Sequence, residues 1–185
     1  MRLTPILAAC LLCPALAVAG PCKVPAYEDF AAGKHPPVAD ALRVVMQPIA
    51  QLSVPSGFGK INVLPHGSVG FGQHPKDVTA VLLFETKGSV SSYQKGAMPA
   101  PFFLSVFRGL DAAGCRRLHT YDLAAEDYRL HAQLAQGTEL FAHGKGEDHQ
   151  FYVIRADKPH LVLTGLFKNI SRAEFESILS TLVLE

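Results

Sequence analysis

The 185-residue sequence contains no tryptophan and no marked excess of charge of either sign. Its 17 lysine and arginine residues stand against 16 aspartate and glutamate residues. Proteins that bind nucleic acid or an anionic membrane surface through their overall field usually carry a clear basic excess. We therefore expect neither kind of partner. Eleven phenylalanine and five tyrosine residues can still supply an aromatic core.

No uninterrupted apolar run in the sequence reaches the roughly 18 residues of a membrane-spanning helix. One shorter run covers 6–19, follows the positive charge of Arg2 and ends in the tripeptide 17–19, Ala-Val-Ala. A short cationic start, an apolar centre and an A-x-A site make up a secretory signal peptide. We predict that 1–19 is removed and that 20–185 is a single exported domain, periplasmic or secreted, without a stable membrane anchor.

A second export signal overlaps the first. The tetrapeptide 7–10, Leu-Ala-Ala-Cys, resembles the box at which bacterial lipoproteins are cleaved. Cleavage there would leave too few residues for the apolar centre of a signal peptide. The site after Ala19 fits better, and a lipid-anchored protein is the alternative.

Cysteine is scarce in the predicted mature domain. Cys10 and Cys13 lie within the signal, which leaves only Cys22 and Cys115. An even pair in an oxidising compartment predicts a disulfide. Two free thiols, with Cys115 buried as a small apolar residue, are the alternative. Neither cysteine belongs to a C-x-x-C motif, so we expect the disulfide to be structural.

The apolar pattern predicts an α+β fold, with amphipathic helices packed on an antiparallel sheet, possibly as an α/β/α sandwich. The predicted strands are 61–64, 78–84, 102–108, 139–143, 150–155 and 160–167. Short turns join the last three as an antiparallel meander. The segment 86–101, rich in serine, glycine, lysine and proline, is predicted as a long exposed loop.

Three segments are predicted as helices. An apolar stripe beginning at Val38 predicts the first, and Pro48 should kink or end it near Met46. The segment 122–136 has the composition of a helix and the alternation of a strand, and we chose the helix. In the last helix Ser171 can act as the cap of a capping box, with an apolar stripe following it.

The order of a three-stranded meander followed by a short amphipathic helix, over 138–185, resembles the PsbP/Mog1-like family. The resemblance rests on the order of the elements, because the sequence contains no diagnostic motif. It implies an α/β/α sandwich and more often a binding role than catalysis. It assigns no functional residue.

Motifs for enzymes and cofactors are largely missing. The sequence has no G-x-S-x-G nucleophile elbow. The glycine-rich segment 67–72 matches neither the dinucleotide-binding pattern nor the P-loop, so we interpret it as a turn and expect no cofactor. Cys115 with His119 four residues later could form a nucleophile and base on one helix face, but a disulfide would exclude this.

One group of residues could hold a metal ion. His143, Glu147 and His149 surround a single predicted turn. Two imidazoles and a carboxylate are suitable ligands for zinc or another divalent ion. Solvated turn residues without a metal are the alternative.

We expect a non-enzymatic binding protein whose partner is another protein. Its sharpest form is an immunity protein or inhibitor that blocks an envelope-acting toxin or enzyme. Loops on a rigid scaffold commonly carry recognition. The candidate contacts in two such loops are Lys87, Tyr93, Lys95, Lys145, Glu147 and Asp148. The alternatives are a small exported hydrolase with an unrecognised active site and a histidine-rich carrier of a metal or small ligand.

Overall fold

The computed structural model describes residues 22–72 and 78–185. The predicted signal peptide lies outside the described residues. The strands are β1 Glu28–Asp29, β2 Ala41–Met46, β3 Ala50–Pro55, β4 Lys60–Val63, β5 Val69–Gly72, β6 Val78–Glu85, β7 Tyr128–Gln133, β8 Thr138–Lys145, β9 Asp148–Arg155, β10 Val162–Phe167 and β11 Val183–Leu184. The α-helices are α1 Lys87–Val90, α2 Pro99–Arg108, α3 Ala112–Tyr121 and α4 Arg172–Ser180.

Eight of these strands form one sheet in the order β1-β7-β8-β9-β10-β6-β5-β4. The short β1 runs parallel to β7, and the other neighbours are antiparallel. A second sheet has the order β11-β3-β2. The α+β class is therefore confirmed, and so is the predicted antiparallel meander of β8, β9 and β10.

The large sheet has a packed layer on each face. Its strands β8 and β9 accordingly have buried apolar residues on both sides. On one face Phe141 and Tyr152 pack against Phe103 and Phe107 of α2. We call this the helical face. On the opposite face the large sheet packs against the small sheet and α4. The third layer thus contains a sheet as well as a helix.

The predicted disulfide between Cys22 and Cys115 is confirmed. Their Cα atoms are 5.8 Å apart, and 93 positions separate them in the sequence. The bond ties the N-terminal segment to α3 on the helical face. In the chain-entropy model a closed loop of this length stabilises the fold by about 4–5 kcal/mol.

The prediction of a helix after Val38 is wrong, because the segment forms the hairpin of β2 and β3. Val44 and Met46 are buried, while Arg43 and Val45, which precede each of them, are exposed, and this is the alternation of a strand. The bond between Gln47 and Pro48 is cis and lies in the connecting turn. The apolar positions matched a helical stripe as well, so spacing alone could not separate the two structures.

The prediction of a strand over 102–108 is also wrong. These residues lie in α2, which has Pro99 at its first position and ends at Gly109 in the left-handed conformation. Phe103 and Phe107 are four residues apart, so they lie on one helix face and both contact Tyr152. Packing against the sheet therefore overrode the strand propensity of the phenylalanines.

Two further predictions need correction. The segment 122–136 contains β7 rather than a helix, and its alternation was the informative signal: Tyr128 and Leu130 are buried against the small-sheet layer. The segment 86–101 is not a continuous exposed loop, since it contains α1 and the start of α2. Val90 and Ala100 in it are buried.

The N-cap at Ser171 and the apolar stripe predicted for the last helix are confirmed. The Ser171 hydroxyl accepts a hydrogen bond from the Glu174 backbone N–H at 3.2 Å, as an N-cap does. Phe175, Ile178 and Leu179 are buried against the large sheet. The stripe therefore packs as its spacing indicates.

Candidate functional site

An open cleft lies on the helical face, where the sheet extends beyond the helices. The ten residues of α2 or α3 span about 15 Å, whereas the eight residues of β8 or β9 span about 26 Å. The uncovered part of the sheet forms the wall of a cleft of about 350 Å³. The lining residues are Glu126, His143, Gly144, Lys145, Asp148, His149, Gln150, Leu166, Phe167 and Lys168.

A histidine–carboxylate pair forms one side of this cleft. His143 lies on β8, and its Nδ1 atom is 3.4 Å from the Oε1 atom of Glu126. The side chains are 7% and 17% exposed, so solvent screens the pair only partly. Arg129 fixes the segment that carries Glu126, because its guanidinium donates to the carbonyl oxygens of Glu126 at 2.9 Å and Leu123 at 2.6 Å.

The second nitrogen of His143 has no hydrogen-bond partner among the described residues. This Nε2 atom is buried, and the ring lies parallel to that of Tyr152 with centroids 6.3 Å apart. A buried polar atom without a partner costs about 1–3 kcal/mol. Such a group is usually completed by a water molecule, an ion or a ligand. His143 therefore has unused hydrogen-bonding capacity beside the cleft.

The floor of the cleft is apolar and its rim is charged. Leu166 on β10 is 36% exposed in the cleft, which is unusual for a large aliphatic side chain within a sheet. Lys145 and Asp148 lie directly opposite each other across β8 and β9, and Lys168 follows Leu166 at the rim. With Glu126, the cleft has two basic and two acidic residues, so it carries no net formal charge when His143 is neutral.

The structure does not bring together the residues of the predicted metal site. His143 lies on the helical face, whereas the ring of His149 stacks on Phe175 in the core of the opposite face, with centroids 4.9 Å apart. His143 pairs with Gln150 and His149 with Gly144, so the two histidines are offset by one residue. Glu147 is exposed in the turn. Among the described residues, no group of three possible ligands is placed to hold a metal ion.

His149 is held by two hydrogen bonds in the core. Its Nδ1 atom is 2.8 Å from the hydroxyl of Tyr128, and its Nε2 atom is 2.9 Å from the carbonyl oxygen of Ile170. A carbonyl can only accept, so Nε2 carries the proton and the Tyr128 hydroxyl donates to Nδ1. This arrangement joins β7, β9 and the segment that precedes α4, and it indicates a structural role.

The other predicted binding loop is only partly free. Lys87 and Lys95 are exposed, but Tyr93 stacks on Phe102 with centroids 6.0 Å apart. The Arg117 guanidinium lies 3.8 Å from the ring of Tyr93 and 4.2 Å from that of Tyr121. Tyr93 therefore anchors the loop to α2 and α3, although 49% of it is exposed.

Two further groups of residues of chemical interest lie outside the cleft, one around Glu139 and one at Cys115 and His119. Glu139 is buried, and its Oε2 atom accepts a hydrogen bond from Arg108 at 2.6 Å and lies 3.2 Å from Nε2 of His131. Sequence reasoning missed this group, which depends on the diagonal register of β7 and β8. Cys115 is in a disulfide, so it cannot act as a nucleophile with His119.

The chain was compared with protein-family models, curated proteins and solved structures, and it matches none of them. The resemblance to PsbP/Mog1-like domains therefore stays a prediction. Among the described residues, no helix has the length and apolar character needed to cross a membrane.

Proposed function

We propose that this chain is an exported, non-enzymatic binding protein that recognises another protein through the cleft on the helical face. The observation that carries the proposal is the combination of an apolar floor at Leu166, a buried imidazole with an unused nitrogen at His143 and a charged rim. Protein interfaces have this composition, with an apolar centre and a polar, partly hydrated rim.

The predicted signal peptide and the disulfide support export. Disulfides persist in oxidising compartments such as the bacterial periplasm and the exterior of the cell. The bond between Cys22 and Cys115 joins two distant parts of the helical layer. The periplasm is therefore the compartment in which we would first look for the partner.

In its sharpest form, the proposal is an immunity protein or inhibitor that blocks an envelope-acting toxin or enzyme. A preformed cleft on a covalently tied scaffold supports this form, because a rigid surface loses little conformational entropy when it binds. The turn between β8 and β9 stands beside the cleft and presents Lys145 and Asp148 to an approaching partner.

The test is a capture experiment with the mature, disulfide-bonded protein and an envelope fraction. In Leu166→Glu a charge replaces the apolar floor, and we expect the amount of captured partner to fall at least about tenfold. Val63→Glu is the matched control, because it puts the same charge in place of an exposed apolar side chain outside the cleft. A partner captured equally well by Leu166→Glu and the native protein would contradict the proposal.

A small hydrolase is the second candidate, and the pairing of His143 with Glu126 favours it. A carboxylate that orients an imidazole is part of many acyl-transfer sites, where the other ring nitrogen takes a proton from the nucleophile. The measurement is hydrolysis of p-nitrophenyl esters by the native protein and by His143→Gln. A rate above background that His143→Gln abolishes would support this candidate, and equal rates would exclude His143 as the base.

A further inference from the structure

We propose that the group of the partner protein that enters the cleft is a tyrosine side chain, whose hydroxyl donates a hydrogen bond to Nε2 of His143. This inference rests on the proposed function, since it names the chemistry by which the same cleft would recognise its partner.

The hydrogen-bonding state of His143 determines what the ligand must supply. The Glu126 carboxylate can only accept, so its position 3.4 Å from Nδ1 favours the tautomer with the proton on Nδ1. With the imidazole neutral, Nε2 is then an acceptor, and no described residue donates to it. The group that completes the site is therefore a hydrogen-bond donor.

Gln150 is the neighbour of His143 that also lines the cleft. It pairs directly with His143 across β8 and β9, so the two side chains are adjacent on the helical face. The side-chain amide of Gln150 donates a hydrogen bond to the Tyr152 hydroxyl at 2.5 Å. In the proposed complex the half-buried side chain of Gln150 turns aside, so that the tyrosine hydroxyl can reach Nε2.

The cleft favours a neutral donor on an apolar body. The two basic and two acidic lining residues balance each other, so neither an ammonium nor a carboxylate is attracted by the net charge. The floor contains Leu166, and the ring of Tyr152 lies beside His143. A phenol combines a flat apolar ring with a single hydroxyl, and tyrosine is among the residues most enriched at the centre of protein interfaces.

The experiment uses two peptides that differ only in that hydroxyl. N-acetyl-Ala-Tyr-Ala-amide and N-acetyl-Ala-Phe-Ala-amide are each titrated into the ¹⁵N-labelled, disulfide-bonded mature protein. Kd is obtained from the amide shifts of Gly144 and Lys145, which line the cleft. We expect the tyrosine peptide to bind about tenfold more tightly than the phenylalanine peptide, as for one added hydrogen bond.

The variant His143→Phe keeps an aromatic ring beside Tyr152 and removes both nitrogens. We expect the two peptides to have equal Kd values in this variant and to keep the tenfold difference in the control Val63→Glu, which lies outside the cleft. Equal Kd values in the native protein would overturn the inference, as would a difference that survives in His143→Phe, or no shift of the cleft amides with either peptide.

A sugar hydroxyl is another neutral donor that could bind to Nε2. Tighter binding of N-acetylglucosamine than of the tyrosine peptide at the same amides would also overturn the inference. The proposed function is tested separately, because it fails if Leu166→Glu captures as much of the partner as the native protein does. If Leu166→Glu loses capture but the two peptides bind the native protein equally, the proposed function is supported and the inference about tyrosine is overturned.

Discussion

The hydroxyl of Tyr128 lies 2.8 Å from the Nδ1 atom of His149, and both side chains are buried. This contact explains why residue 144, between them on β8, is glycine. A Cβ atom at Gly144 would collide with Nδ1 of His149 and with the Tyr128 hydroxyl. Gly144 also lines the cleft on the opposite face, so the packing of the core and the shape of the candidate site meet at one residue.

We expect Gly144→Ala to lower the free energy of unfolding by about 1–3 kcal/mol, because the added methyl group must displace the two hydrogen-bonded side chains. The measurement is equilibrium unfolding in urea. Gly57→Ala is the matched control, since no atom lies within 4 Å of a Cβ placed there. If both variants unfolded at the same urea concentration as the native protein, the packing of Tyr128 on His149 would not be as described.

Removal of the disulfide should destabilise the protein more than any single side-chain change proposed above. For Cys22→Ser combined with Cys115→Ser, we expect a loss of about 2–5 kcal/mol, because the unfolded chain regains the freedom of a long loop. Urea unfolding of the variant and of the native protein, with and without reductant, checks this. A reductant that leaves the midpoint of the native protein unchanged would contradict it.

The N-cap of α3 predicts a loss of stability in acid. The Gly114 backbone N–H donates to the Asp111 carboxylate at 2.7 Å, and this bond holds the pKa of Asp111 below its usual range. The contribution is present above the pKa of the unfolded chain, near 4, and disappears as the pH falls through the lower folded value. We expect Asp111→Ala to cost about 1 kcal/mol at neutral pH, and Asp111→Asn much less.

The difference between native protein and Asp111→Ala should therefore shrink as the pH falls below about 4. Thermal or urea unfolding from pH 6 to pH 2 measures it. A difference that stays constant over this range would show that the carboxylate charge contributes nothing to the cap.

Three tyrosines predict a loss of stability at high pH. Burial raises the pKa of Tyr27, Tyr128 and Tyr152 above the usual value near 10. Above pH 10 the unfolded chain ionises these phenols while the folded chain keeps them neutral, so the free energy of unfolding falls as the pH rises. Urea unfolding between pH 8 and pH 11.5 should show this slope.

Tyr128→Phe removes one of the three groups and should reduce that slope. It also leaves Nδ1 of His149 without its donor, which lowers the free energy of unfolding at neutral pH by about 1–3 kcal/mol. A slope equal to that of the native protein would mean that Tyr128 ionises in the folded state.

Local sequence signals predicted the C-terminal part of the fold and the strand over 78–84, but they failed at several other segments. The turns 144–148 and 156–159 and the cap at Ser171 are short-range features, and the elements they delimit were correct. The segment 102–108 has strand propensity but apolar positions at helical spacing, and contact with Tyr152 decided for the helix. The segment after Val38 became a hairpin, although its spacing also fits a helix.

In the candidate site, too, the sequence identified one residue but not the residue that contacts it. His143 was identified from sequence, but its predicted partner was His149, and the residue beside it is Glu126. The distance from Glu126 to His143 along the chain gives no signal of contact. It is the pairing of β7 with β8, with Tyr128 opposite Gly144, that brings the segment before β7 to the cleft.

The sequence by itself determined the disulfide partners, the α+β class, the final meander and its helix, because these depend on residue count, local turns and short periodicities. Only the tertiary structure decided that His143 and His149 lie on opposite faces of one sheet. Side chains alternate along a strand, so a register offset of one residue separates them, and the pairing of whole strands sets that register. The same packing left Leu166 and the His143 ring at the part of the sheet that the helices are too short to cover.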